Sequence, residues 1–406
     1  MLENGTDQVN RRGFLQTGAA ATALTLASTS SGLAASGDAK RAYVLPRRAL
    51  GKTGVDVTIL NQGTWRSPDS LDRLLRLGHA GGIRYIDTAH SYGSEPGVAK
   101  FLESLPAGGR KDIFLVTKEG VNSPSQLIKA LDERLAILKT DYVDLFFIHG
   151  IGGKARLDWP KSKELKDTIA AIKKSGKAKF VGFSCHDALK VEFLESAAEG
   201  KIVDAIMIAY SAPWTAPGAR LNKALDACHK AGIGLVSMKQ ISGNSDQVLK
   251  EIPKHFPDLA DRGLTPYQLL LHSIWTDHRI SSCCVSMRNT DQLRENLAAA
   301  KGFAPLKRAE MDRLRDALLA AGPTMCANCD GSCSRAAGTE AALGDLARLY
   351  TYHEQQGLRA DAREQYAALA FEHRDWSGAD LEAARQACPS KLNFAAILPE
   401  VDRRLA

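Results

Sequence analysis

From about residue 40 onward the apolar positions gather into eight short runs, at 57–60, 83–86, 113–117, 143–148, 180–183, 205–209, 234–237 and 280–285. Runs of this length, rich in Val, Ile, Leu and Phe, predict strands. Between them lie longer stretches, 70–80, 123–138, 162–174, 188–198 and 221–231, with apolar residues at helical spacing and, in several cases, a glycine at the stop. Strand and helix in alternation predict a parallel sheet covered by helices. Eight such units predict an α/β chain closed into a (β/α)8 TIM barrel. The stretch 141–148 is apolar almost without interruption, the mark of a strand buried on both faces. No Gly-x-Gly-x-x-Gly follows any strand, so a doubly wound dinucleotide fold has no support.

The two ends of the chain break this rhythm. Residues 10–16 hold the pair Arg11-Arg12, followed by a mildly apolar, Ala- and Thr-rich stretch at 17–29 and small residues at 31–36. That segment is too short and too interrupted for a stable membrane span, which needs about 20 predominantly apolar residues. It resembles a twin-arginine export signal, so the twin-arginine machinery is an expected partner and the periplasm or exterior the expected location. At the other end Leu343, Leu346, Leu349 and Tyr350, and later Leu392, Ala395 and Leu398, repeat at helical spacing. The expected organisation is a signal segment at 1–36, a barrel at 43–322 and a small helical, cysteine-rich extension at 323–406.

Composition narrows the function. The chain has 406 residues, 44% apolar and 24% charged, enough for one large core plus an appendage. Its net charge of +7 comes from 53 basic and 46 acidic residues scattered along the sequence, with no dense basic run. Nucleic acid is therefore excluded as an expected partner.

In a parallel barrel, chemistry sits at the C-terminal ends of the strands. The second run leads into Asp87, with Tyr92 in the following loop; the third ends in Lys118 and the fourth in His149. A phenol alone, with a pKa of about 10, gives up its proton poorly. An adjacent ammonium lowers that value, so Lys118 is expected to tune Tyr92, Asp87 to hold Lys118, and His149 to orient a substrate oxygen or relay a proton.

The order Asp, Tyr, Lys, His on strands two, two, three and four resembles the aldo-keto reductase family. Asp87-Thr88-Ala89-His90-Ser91-Tyr92-Gly93, Val116-Thr117-Lys118 and Phe147-Ile148-His149 stand where its motifs stand, and the opening at 48–55 and Gly63-Thr64-Trp65 match as well. The resemblance covers roughly residues 43–320. It implies a nicotinamide-dependent oxidoreductase, usually preferring NADP(H) with NAD(H) as the alternative, acting on a small carbonyl or alcohol substrate. Asp87, Tyr92, Lys118 and His149 would be the catalytic set. The implied cofactor contacts are Gly63, Thr64, Ser184, His186, Tyr210, Met238, Lys239, Ser286, Arg288, Gln292 and Asn296. Arg288 is the implied partner of a 2′-phosphate, beside a helix start whose N–H groups would share the load.

Two positions depart from the family: Cys185 stands where an Asn is usual and Met207 where a Gln is usual, which weakens the carboxamide contacts. They keep open a second class of function, a non-enzymatic NADP(H)-binding or redox-sensing partner protein. Trp65, Trp214 and the segment 211–220 are expected to wall the substrate pocket.

The tail carries Cys326, Cys329 and Cys333, and Cys388-Pro389 lies further on. Four thiolates so spaced suit a [4Fe-4S] cluster, zinc or disulfides. A subset of the family looks similar, and export of an already folded chain suits a cluster loaded beforehand; the cluster is the expected cofactor and a structural role the expected use. Cys185, Cys228, Cys283 and Cys284 are expected to be packing residues.

Overall fold

The computed structural model describes residues 45–187, 189–214, 219–240, 245–324 and 331–406; the paired arginines, Cys326 and Cys329 lie outside them. A short antiparallel hairpin comes first, β1 (Arg47–Ala49) with β2 (Asp56–Thr58). Eight parallel strands follow: β3 (Leu60–Gly63), β4 (Tyr85–Asp87), β5 (Phe114–Glu119), β6 (Val143–Ile148), β7 (Ala178–Cys185), β8 (Ala205–Ala209), β9 (Gly234–Met238) and β10 (Ile280–Ser286). They close into a barrel in which β10 pairs with both β9 and β3. The expected (β/α)8 barrel is present.

The first expected strand, 57–60, does not exist as such. Its residues are divided between β2 and β3, on either side of Ile59. Val57 and Leu50 pack with Tyr85, Phe114, Val116, Leu145 and Phe147 in the barrel interior, so the hairpin fills the end of the barrel at which the strands begin. Its turn comes so close to β9 that a Cβ on Gly51 (φ 55°) would lie 2.3 Å from the Gly232 carbonyl oxygen. Only glycine fits there.

Side chains alternate across each strand. On β6, Leu145 and Phe147 belong to the interior cluster while Phe146 and Ile148 pack outward against helices. The same phase places Tyr85 on the inner face of β4, Phe114 and Val116 on that of β5, Phe180 on β7, Ala205 and Met207 on β8, and Val236 and Met238 on β9. Continued by two residues, it turns Asp87 and Lys118 inward at the strand ends.

Among the described residues of the C-terminal part, helices Leu343–Gln355 and Phe394–Leu405 pack on each other, with Ser332–Ala336 against Leu381–Ala387. Leu343, Leu346 and Leu349 are buried as the spacing predicts. In the last helix the buried stripe is Phe394, Ile397, Leu398 and Val401, with Leu392 just ahead of it. Ala395, expected in that core, is exposed instead, because the helix starts only after its Asn393 cap and its apolar face is set by Phe394. No helix among the described residues is long and apolar enough to cross a membrane.

Candidate active site

A cavity of about 440 Å³ opens where the barrel strands end. Asp87, Tyr92, Lys118 and His149 all line it, so the four residues expected to act together are together. The Lys118 ammonium donates to Asp87 Oδ1 at 2.5 Å and to the Thr88 carbonyl at 2.8 Å. Both side chains are shut away from solvent, at 0% and 1% exposure. Burial raises the Asp87 carboxyl above the ordinary carboxylate range, with Lys118 pulling it back. The same burial works most strongly against the ammonium, but Asp87, Tyr92 and Cys284 together outweigh it and hold Lys118 above the usual lysine range.

Tyr92 sits in a short 3-10 turn, His90–Tyr92, closed by Gly93 at φ 65°. Behind the turn Ser94 bonds Thr64 at 2.7 Å and Thr88 at 2.9 Å, and buried Glu95 bonds Thr117 at 2.7 Å and Arg134 at 3.0 Å. These contacts fix the loop on the barrel rim. The Lys118 ammonium lies 5.0 Å from the Tyr92 ring centre, and the His149 ring meets Tyr92 edge-on at 5.5 Å.

The expected acidity is reversed. Burial pushes the Tyr92 phenol up to about 12, and Lys118 offsets only part of that. His149 is pushed down to about 3 by burial and by the charges of Lys118 and Lys239. Near neutral pH Tyr92 therefore keeps its proton and His149 stays neutral. Nδ1 of His149 lies 3.4 Å from Ser91 Oγ, and no described residue bonds Nε2. That nitrogen is left for a substrate oxygen.

Of the eleven expected cofactor residues, Ser184, His186, Met238, Lys239 and Ser286 line the cavity. Gly63 borders it: a Cβ there would lie 2.9 Å from both Cys284 Sγ and Ser286 Oγ. Tyr210 does not. It follows the inward positions Met207 and Ala209 by an odd step, packs in the outer cluster, and donates to Asp277 at 2.6 Å. Thr64 is likewise turned away, onto Ser94. Arg288 is exposed at the start of helix Thr290–Lys301, its backbone N–H bonded to Gln292 at 2.8 Å. Asn289 already accepts from the N–H groups of Asp291 and Gln292, so the Arg288 side chain, rather than the helix N–H groups, is left to meet a phosphate. Asn296 is buried in that helix.

The two departures from the family differ in weight. Cys185 faces outward into the core, and His186, two positions on from Ser184, reaches the cavity in its place. Met207 does line the cavity. Cys228 and Cys283 pack in the core as expected, but Cys284 lies on the cavity wall beside Asp87. Trp65 lines the cavity; the side chain of Trp214 and residues 215–218 lie outside the described residues. Sequence reasoning missed Gln240 and, above all, Arg348, Tyr352, Gln356 and Gln365, which the extension contributes to the same cavity. The signal was present: Arg348 and Tyr352 are four apart, so they share one face of helix Leu343–Gln355.

Known proteins share this barrel. Residues 60–318 match the model of the aldo/keto reductase family. The chain is 24% identical over 292 residues to mouse aldo-keto reductase family 1 member A1, covering 64% of this chain and 87% of the mouse protein. It is 23% identical over 323 residues to L-glyceraldehyde 3-phosphate reductase of Escherichia coli K12, covering 66% and 91%. Among solved structures, a thermostable aldo-keto reductase in complex with the inhibitor epalrestat superposes with a TM-score of 0.53 at 26% identity, covering 67% of this chain and all of the other. An aldo-keto reductase from Klebsiella pneumoniae in complex with NADPH shares the fold at 20% identity, with a TM-score of 0.53 over 67% of this chain and 95% of that one. With residues 60–318 matching the family and the closed eight-stranded barrel present, the chain belongs to the aldo/keto reductase family of NAD(P)H-dependent oxidoreductases.

Proposed function

We propose that the chain reduces a small carbonyl compound with NADPH, Tyr92 giving the proton to the carbonyl oxygen. The observation that carries this reading is the buried Lys118–Asp87 pair beneath a protonated phenol and a neutral imidazole, all on one cavity. A bound nicotinamide would supply the hydride. The residues present suit such a group: Ser184 accepts from the Gly150 N–H at 2.9 Å and still has its own proton to give, and buried Asp87 Oδ2 has no partner among the described residues. Ser184 and His186 would hold the carboxamide, and Arg288 with Gln292 and Asn296 the adenosine end.

In the reaction itself His149 orients the carbonyl oxygen from its neutral ring. Tyr92 protonates that oxygen as negative charge develops on it, and the Lys118 ammonium stabilises the phenolate left behind. Neither relative's substrate, a glyceraldehyde phosphate in the bacterial enzyme's name, fixes the one used here. The purified chain is expected to oxidise NADPH in the presence of an aldehyde, and Arg288→Ala to raise KM for NADPH about tenfold while leaving KM for NADH within about twofold. A KM for NADPH that does not change in the variant would remove Arg288 from the cofactor site.

The signal segment at 1–36, the barrel domain at 43–322 and the extension at 323–406 belong to the same reading, with export through the twin-arginine route. So does a structural [4Fe-4S] cluster on Cys326, Cys329, Cys333 and Cys388. In its favour, Cys333 and Cys388 are buried in one apolar cluster, Cys333 on helix Ser332–Ala336 and Cys388 directly after helix Leu381–Ala387, and the two helices pack together. Among the described residues alone, no group of three or more His, Cys, Asp or Glu is placed to hold a metal. Anaerobically purified protein is expected to show a broad visible absorbance that Cys388→Ala removes along with stability; a colourless, zinc-loaded protein would sink the cluster.

A further inference from the structure

The extension gives the cavity more than a wall. Three cations line it, Lys118, Lys239 and Arg348, against one carboxylate, Asp87. Asp87 is committed to Lys118, and Arg348 is balanced from behind by Asp345 at 2.9 Å. Lys239 has no ion pair among the described residues; its ammonium donates to the Tyr352 hydroxyl and lies 5.9 Å from the Trp65 ring centre.

Lys239 reaches this position against the pleat. Met238 is an inner residue of β9, so regular alternation would turn the next side chain outward. The backbone at Lys239 instead adopts φ 55°, a left-handed conformation that is unfavourable for a non-glycine residue. Such strain persists where the surroundings enforce it. The side chain so turned meets the extension: Tyr352 is buried, its ring 5.0 Å from the Lys239 ammonium and 5.2 Å from the Arg348 guanidinium. Burial would raise the Tyr352 phenol, yet the two cations prevail and lower it. Gln365 holds Arg348 at 3.2 Å, and Arg66 ties Gln356 at 2.8 Å to the loop after β3. A cation with no ion pair among the described residues, on the wall of a cavity in low-dielectric protein, raises the local concentration of anions.

The geometry points to an anion subsite formed by Lys239, Tyr352 and Arg348, which selects carbonyl substrates carrying a carboxylate or phosphate. It rests on the reductase reading for the word substrate, but not for the binding of the anion. Lys239 stands beside Trp65, a residue expected to wall the substrate pocket, on the cavity that Tyr92 and His149 also line, its ammonium 5.9 Å from the Trp65 ring centre. The substrate's own anionic group is therefore favoured over the pyrophosphate of the cofactor. The subsite depends on residues 348 and 352, beyond the 60–318 span shared with the family. Specificity in this chain is thus set by a part that the barrel does not contain.

The test has a binding arm and a turnover arm, both on the full chain. Calorimetric titration with succinate, a non-reacting dianion, is expected to give binding at least about tenfold tighter than with neutral succinamide, and Lys239→Met to weaken succinate by about tenfold or more. Tyr352→Phe, which keeps the ring, should weaken it by a smaller factor. In the turnover arm, the ratio of kcat/KM for 4-oxobutanoate to that for its methyl ester is expected to fall about tenfold or more in Lys239→Met. Succinate binding that does not respond to Lys239→Met overturns the subsite. An equal fall for both aldehydes, with a matching rise in the NADPH Kd, assigns the cations to the cofactor pyrophosphate and overturns the substrate assignment. Succinate binding that requires Lys239, with neither aldehyde turned over, upholds the subsite and overturns the reductase reading instead.

Discussion

Replacing Tyr92 with phenylalanine is expected to lower kcat/KM for carbonyl reduction about thousandfold, or about 4 kcal/mol of barrier, while the NADPH Kd changes by less than about threefold. The ring stays, so its edge contact with His149 and its place over Lys118 stay too. What goes is the proton. Neither group that touches its ring can replace it: Lys118 is locked between Asp87 and the Thr88 carbonyl, and His149 carries no proton to spare at neutral pH. The same environment fixes the shape of the pH profile. With the phenol near 12 and the imidazole near 3, neither group titrates between pH 6 and 9. The rate of the chemical step is therefore expected to be flat across that window, without the inflection near 6.5 that an ordinary histidine would give. Turnover unchanged in Tyr92→Phe would exclude the phenol as the acid and return weight to a protein that binds NADP(H) without catalysis.

Much of this site was legible in the sequence because one rule, alternation along a strand, sorts its residues. Counting by twos from the inward apolar residues Phe147, Val116 and Tyr85 arrives at His149, Lys118 and Asp87. The same count from Met207 passes through Ala209 and leaves Tyr210 facing out, where the structure has it bonded to Asp277. Family likeness named Tyr210 as a cofactor contact; its parity argues otherwise. It separates Ser184 from Cys185 and Gly63 from Thr64 in the same way. Alternation does not reveal the break in the expected first strand, since residues 57–60 are apolar enough for one strand and only the bend at Ile59 divides them. It fails at Lys239, where the backbone leaves the pleat. Acidity was misjudged for a different reason: sequence names the neighbouring charge but not the depth of burial, and at Tyr92 burial outweighs Lys118. The extension's share of the cavity was hidden because helical periodicity predicts a buried face without saying what lies opposite it.

The Lys118–Asp87 pair carries the largest expected effect on stability. Replacing Lys118 with methionine leaves Asp87 as a lone carboxylate at 1% exposure, and breaking a buried pair in this way costs about 3–5 kcal/mol. The pH dependence gives the mechanism away. Without its ammonium, Asp87 has a folded-state pKa raised further above its unfolded value, because burial already pushes it upward in the intact pair. A group so raised carries its penalty above its folded pKa and sheds it as it takes up a proton. The variant's deficit against the parent protein, read from denaturant midpoints, should therefore shrink between pH 8 and pH 5. Adding Asp87→Asn removes the buried charge altogether, so the double variant should be more stable than Lys118→Met alone at pH 8, by about 1–3 kcal/mol. Activity, by contrast, should stay lost in both, because the phenolate formed at Tyr92 no longer has a cation beside it. If the double variant is instead as unstable as the sum of the two single changes at every pH, the pair is not coupled. Asp87 would then owe its place to the backbone of β4 rather than to Lys118.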